Sequence, residues 1–140
     1  MINEIRSYIK GVVYECDPDL KMHDEYFVSD NISDNKLDCT YHIQFGSLSS
    51  TTRVDNIVNS VIPITIDLFY KGKNDVIEKF DTAYSSSINI QAALIDKRRI
   101  NQLSYMKSLE STGVDIEPVN SNDKQMKVSI QLNCITSYTP

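Results

Sequence analysis

The chain has 140 residues, 41% of them hydrophobic and 24% charged, with no Trp and only four Gly and four Pro. That length fits one domain spanning 1–140, able to bury roughly 68–70% of its unfolded surface, so neither metal nor disulfide is needed for a core. The net charge of −5 excludes wrapping a nucleic-acid backbone, which needs concentrated Lys and Arg, but leaves passing contact with DNA, or its repulsion, open.

No apolar run approaches the 18 or more residues of a membrane span. The opening "MINEIRSYIKGVVYEC" scatters acidic and basic residues and lacks a cleavage site, so it does not read as a signal peptide. The three cysteines are odd in number and widely spaced, a reduced, cytoplasmic pattern.

Residues 2–16 predict a helix, because Ile2, Ile5, Ile9, Val12, Val13 and Cys16 form one stripe at spacings of three and four. "DPD" at 17–19 ends it, since Pro18 disfavours a helical conformation at Asp17. Residues 17–36 are polar and acidic and predict a long connection, with a possible short strand at Tyr26–Val28.

In "LDCTYHIQFG", Leu37, Cys39, Tyr41, Ile43 and Phe45 alternate with Asp38, Thr40, His42 and Gln44, the pattern of a half-buried strand. Cys39 is expected inside and His42 on the exposed face. "GSLSSTTRVDNIVNS" (46–60) is rich in Ser, Thr and Asn and predicts a long mobile loop, a kind of segment that often carries function.

"VIPITIDLFYKG" predicts a strand with Ile62, Ile64, Ile66, Leu68 and Tyr70 inward. Pro63 cannot donate a ladder bond, which places this strand at an edge or starting beside one. Asp75 and Glu78 have the spacing of a capping box. Val76, Ile77, Phe80, Ala83, Tyr84, Ile88, Leu94 and Ile95 then keep a helical stripe; the alternative is a helix to Tyr84 and a strand over Ile88–Leu94. Lys97, Arg98 and Arg99 sit where a helix C-terminus favours positive charge, with a salt bridge to another subunit as the second reading.

Residues 100–111 predict a less regular strand, and "TGVDIEPVNSNDKQ" a protruding connection. The final "QMKVSIQLNCITSYTP" alternates cleanly, with Met126, Val128, Ile130, Leu132 and Cys134 on the buried parity. The sum is an α+β fold: a four-stranded antiparallel or mixed sheet with two main helices packed on one face.

Chemistry-bearing patterns are scarce. His23 and His42 fit no metal or catalytic spacing, and Cys39, three residues from His42, has the opposite parity. The acidic residues Asp17, Asp19, Asp24, Glu25, Asp30 and Asp34 lack the spacing of a calcium loop and read as a solvated segment. Four glycines build no phosphate loop. No catalytic residue, metal ligand or cofactor is assigned, and the chain reads as a non-enzymatic subunit whose surface is its function.

The order of elements resembles the tail terminator proteins of long-tailed bacteriophages. The resemblance rests on the amphipathic "IRSYIKGVVYEC", the strand "YHIQFG" and the loop "SLSSTTRVDNIVNS". It continues through the apolar–Pro entry into "IPITIDLFYKGKNDVIEKF" and the closing "KVSIQLNCITSYTP". It implies an α/β sandwich that assembles as a ring of six on the tail tube, stops tube elongation and offers a surface to the head-side connector or neck protein. The implied location is the tail-neck region of the virion, reached from the host cytoplasm.

DNA would pass through the ring without specific binding, and six copies at −5 would repel it. The resemblance places interface or lumen contacts in the 46–60 loop, at Ser49, Ser50, Arg53, Asp55 and Asn56. Subunit contacts are expected at Lys97, Arg98 and Arg99, and tube or neck contacts over Val114–Asn122, Val114, Asp115 and Glu117 among them. Two other readings stand: another ring-forming neck or tail-completion protein, and a monomeric module that captures a peptide on an exposed sheet edge.

Overall fold

The computed structural model describes residues 2–22, 39–48, 50–71, 76–118 and 125–139. Helix α1 spans Ile2–Cys16 and buries Ile5, Ile9, Val12 and Val13, the expected stripe, while Ile2 stays exposed and Cys16 half-buried. It stops at "DPD" as the proline requires. The Asp17 carboxylate accepts from the Asp19 amide at 3.3 Å, so the turn supplies its own acceptor.

The strands are β1 (Lys21–Met22), β2 (Thr40–Phe45), β3 (Ser50–Val54), β4 (Ile57–Lys71), β5 (Met106–Pro118) and β6 (Gln125–Tyr138). They form one sheet of order β1-β2-β4-β6-β5, with β3 also paired to β4. Only β1 with β2 is parallel; the other described pairings are antiparallel. The fold is α+β, with six strands where the alternation alone suggested four. The two extra strands are the two-residue β1 and the polar β3, neither of which carries an apolar period.

The 46–60 segment is therefore not a loop. Ser50–Val54 folds back on Ile57–Val61 through a two-residue turn at Asp55 and Asn56, with Asp55 at φ 53°. Asp is among the non-glycine residues that tolerate this region. Ser and Thr promoted the loop reading, but Thr is also a good strand former once a neighbour supplies the ladder.

Pro63 lies inside β4, a strand with partners on both sides. Its carbonyl faces the β2/β3 side, where it accepts from the Gly46 amide at 2.8 Å. The missing N–H falls on that same side, in the gap between the end of β2 at Phe45 and the start of β3 at Ser50. The proline thus sits in a central strand without costing a ladder bond. Gly46 belongs to the same joint: a Cβ there would lie 3.3 Å from the Pro63 Cβ and 3.4 Å from its carbonyl oxygen.

Helix α2 runs unbroken over Val76–Leu94, which settles Ile88–Leu94 as helix. Over 81–94 its buried positions are Ala83, Ser87, Ile90 and Leu94, while Tyr84, Ile88 and Ile95, placed on the inner stripe by periodicity, are exposed. A small Ser87, donating to the Tyr84 carbonyl at 2.7 Å, takes the place of an apolar residue where helix and sheet meet closely.

The helix ends before Asp96, which caps a separate short helix, α3 (Lys97–Ile100), by accepting from the Arg98 amide at 3.0 Å. Lys97, Arg98 and Arg99 therefore do not terminate the long helix. β5 begins at Met106 and continues to Pro118, so Val114, Asp115 and Glu117 belong to a strand and not to a protruding connection. Register shifts at Met106/Ser108 and Ser111/Gly113 break the alternation, so the strand expected irregularly over 100–111 runs instead from Met106 to Pro118.

The core lies between one sheet face and the helices: α1 packs on α2, and α2 on β4, β5 and β6. Ile62, Ile64, Ile66 and Leu68 of β4 meet Val128, Ile130, Leu132 and Cys134 of β6 there. Tyr8 of α1 donates to the Leu94 carbonyl at 2.6 Å and ties the two helices. His42 was expected outside but is 8% exposed; it stands opposite Asp67 on the face without described helices. Cys39 is half-buried, because its φ of 53° takes it out of the strand alternation just before β2; Cys134 is fully buried as expected.

The Tyr26–Val28 island, His23, the acids Asp24, Glu25, Asp30 and Asp34, Asp75 of the expected capping box, and Ser49 lie outside the described residues. Among those described, no helix is long and apolar enough to cross a membrane.

Candidate assembly interface

Three surfaces carry the residues singled out from sequence, and the fold keeps them apart. At the β3–β4 hairpin, Arg53, Asp55 and Asn56 are exposed at or beside the turn, and Ser50 opens β3 opposite Val61. The Arg53 Nε donates to the Asp55 carbonyl at 3.0 Å, which braces the turn. The sequence reading missed the apolar rim: Val54 and Ile57, paired in register, are 65% and 48% exposed. Side chains of this kind left in water mark a contact surface better than the loop's polarity does.

The α3 cluster is partly consumed within the chain. Arg98 is held by Asp96 through two contacts, Nε to Oδ1 at 3.2 Å and Nη2 to Oδ2 at 3.1 Å. That partner holds the Asp96 carboxyl below its usual range, by side-chain and then backbone hydrogen bonds from Arg98. Arg99 reaches across to Glu15 of α1 at 2.7 Å. The Arg98 side chain remains 91% exposed, and Lys97 is exposed, so the cluster still presents cations to solvent.

The third surface is β5. Val114 is half-buried against the core, and Asp115 is exposed and accepts from Gln131 Nε2 at 3.1 Å. Glu117 stands opposite Lys127 in the ladder. Asp115 belongs to a polar cross-strand row that sequence did not single out: His42, Asp67, Ser129 and Asp115 are successive ladder partners across β2, β4, β6 and β5. Ser129 Oγ donates to Asp67 Oδ1 at 2.6 Å. The signal was present in the sequence as the polar parity of each strand, but only the register puts the four residues in one row.

A shallow depression on this face is lined by Gln44, Thr65, Asp67, Asp115, Ile116, Lys127, Ser129 and Gln131. It gathers amides, hydroxyls, carboxylates and Lys127, and the Ser129–Asp67 hydrogen bond lies within it. Among the described residues no group of three or more His, Cys, Asp or Glu could hold a metal ion. Burial pushes the Cys134 thiol up to about 12, and burial raises Cys16 as well; neither favours the thiolate that a nucleophile requires.

No family model matches the sequence, and neither does any curated protein sequence. Among solved structures, the chain is similar to one from the virion of a native gene transfer agent (GTA) particle. That match has a TM-score of 0.59 at 8% identity and covers 96% of this chain and 92% of that one. A second likeness, to a crystal structure from Akkermansia muciniphila, has a TM-score of 0.36 at 11% identity, covering 99% of this chain and 77% of the other. The first shows a shared fold over nearly the whole length; the second is too distant to carry an argument.

Proposed function

We propose that this chain is a structural virion protein, a tail terminator. It forms a ring of six at the head-proximal end of the tail tube, stops elongation and joins the tube to the head-side neck. The observation that carries this reading is the fold likeness to a virion chain, which spans 96% of this chain and 92% of the other. It agrees with the order of elements that resembles the terminator family.

The surfaces support a subunit with several neighbours and no substrate. The hairpin has an apolar rim, α3 presents cations, and the bare sheet face is polar. Ring closure requires a heterologous contact in which two different patches of one molecule meet on successive copies. In this reading the hairpin and α3 serve neighbours, β5 serves the tube or neck, and DNA passes an acidic ring without specific binding. No catalysis and no cofactor are required.

The test is solution mass with negative-stain imaging at high protein concentration, followed by incubation with purified tail tubes. Rings near about 95 kDa, six times the 15.9 kDa chain, and capped tubes that no longer elongate are the expected results. A chain that neither forms rings nor is retained on tubes would overturn the reading. The open β3 edge favours a second reading, a monomeric module that adds a peptide strand to its sheet. That reading predicts a persistent monomer with one peptide site.

A further inference from the structure

Among the described residues the sheet ends on β5 at one side and on the two-residue β1 and on β3 at the other, and β5 and β3 are of unequal design. β5 pairs with β6 through two register shifts, and Gly113, at φ 157°, adjoins the second. Such irregularities disrupt edge-to-edge pairing. Beyond Gly113 the ladder runs unbroken to Pro118, so only Val114–Pro118 remains a flat template. β3 carries no such defence: Ser50–Val54 pairs with β4 in continuous register, and Thr51 through Ile57 are all exposed.

The hydrogen-bond phase tells which backbone groups face out. In a two-residue hairpin the residues flanking the turn, here Val54 and Ile57, exchange both bonds, and pairs alternate from there. The Ser60 carbonyl faces β6, where it accepts from Thr136 Oγ1 at 3.3 Å, and the Pro63 carbonyl faces Gly46, both in that phase. Thr51 and Arg53 therefore turn their N–H and C=O away from β4. Carried across β6, the phase turns Val114 and Ile116 outward on β5, and Pro118 closes the run because it has no N–H. Each edge thus offers two outward residues. By ladder parity these four belong to the sheet side that packs on the helices.

Charge and apolar surface match as well. Neither described ion pair involves Arg53. Helix α2 lies along β5, held where the Gln91 amide donates to the Ser111 hydroxyl. The short α3, which follows α2, also packs on β5. Asp81 lies ten residues before Gln91, about 15 Å along the helix axis. Asp81 is exposed, with exposed Tyr84 and Ile88 between it and Gln91.

We propose that β3 of one copy adds to Val114–Pro118 of β5 in the next, with Arg53 of the first reaching Asp81 of the second. The inference rests on the ring reading and names its interface. The occupant is a second copy of this chain, because the two half-interfaces sit on opposite edges of one sheet and repeat head to tail. The sheet then continues from copy to copy with all helices on one side.

Sedimentation across a concentration series tests this with four chains: wild type, Arg53→Asp, Asp81→Arg and the double swap. Each single reversal is expected to weaken self-association at least tenfold, and the double swap to restore it. Thr51→Pro is expected to abolish association while leaving the melting temperature near wild type, because the Thr51 N–H is outside the β3–β4 ladder. Association that survives Thr51→Pro, or a double swap no better than either single, overturns this interface while rings and tube capping leave the terminator reading standing. A wild type that is monomeric at every concentration also overturns it, and tube capping alone then decides the terminator reading.

Discussion

The central strands β4 and β6 present two opposite solutions on the same backbone. Toward the helices they carry Ile64, Ile66 and Leu68 against Leu132, Ile130 and Val128; toward the bare face the intervening residues are Thr65 and Asp67 against Gln131 and Ser129. The covered face is held by apolar area removed from water, at roughly 25 cal/mol per Å². The bare face is held by cross-strand polar pairs, each contributing about 0.2–1 kcal/mol. The two sides of one sheet are therefore held by different forces, and substitutions can separate them.

The largest effect should come from neighbouring residues on the two sides. Ile66→Ala is expected to cost about 2–5 kcal/mol of unfolding free energy, while Thr65→Ala changes it by less than about 0.5 kcal/mol. Urea denaturation of both variants checks this, and equal losses would break the comparison. Next comes the alkaline limb. Cys134 on the covered face has its pKa raised from 9.0 to about 12 by burial, and burial also raises Tyr8 from 10.0 to about 12. The folded state keeps these protons after the unfolded chain has released them, so stability falls as pH rises from about 9 toward 12. Cys134→Ala should reduce that fall, leaving the contributions of Cys16, Tyr8 and Tyr70, which burial also raises; thermal melts at pH 8 and 11 measure it.

A smaller loss is expected at the bare face. Ser129→Ala removes the donor to Asp67 and should cost about 1 kcal/mol, because the carboxylate keeps access to other donors. The same denaturation series reads it, and a loss matching Ile66→Ala would assign core weight to this polar row. The smallest effect belongs to Arg99→Ala. Its pair with Glu15 is exposed on both sides and should contribute little, and less still in high salt. Comparing melts at low and high salt tests that.

How much of this was legible depended on whether a residue's environment followed from its neighbours in sequence. The stripe of α1 could be read because Ile5, Ile9, Val12 and Val13 face a partner at the helix's own period. In α2 the same rule misplaced Tyr84 and Ile88, because Ala83 and Ser87 take the inner positions where close packing favours small side chains. β6 was legible from perfect alternation, whereas bulges scrambled β5. The hairpin pairing was invisible because Ser, Thr and Asn gain their strand conformation from β4. Of the proposed interface, sequence singled out Arg53, Asp55 and the α3 cations; it did not single out Val54, Ile57 and Asp81, whose exposure only the fold shows.

The sequence by itself determined the fold class, the helix after the proline strand and the buried parity of the two long strands, because hydrophobic period is a local property written along the chain. Tertiary structure alone decided the sheet order, the tolerated Pro63, the row from His42 to Asp115 and the two unequal edges. Each of these depends on which backbone carbonyls and amides find partners across the sheet, and that pairing joins residues far apart in the chain.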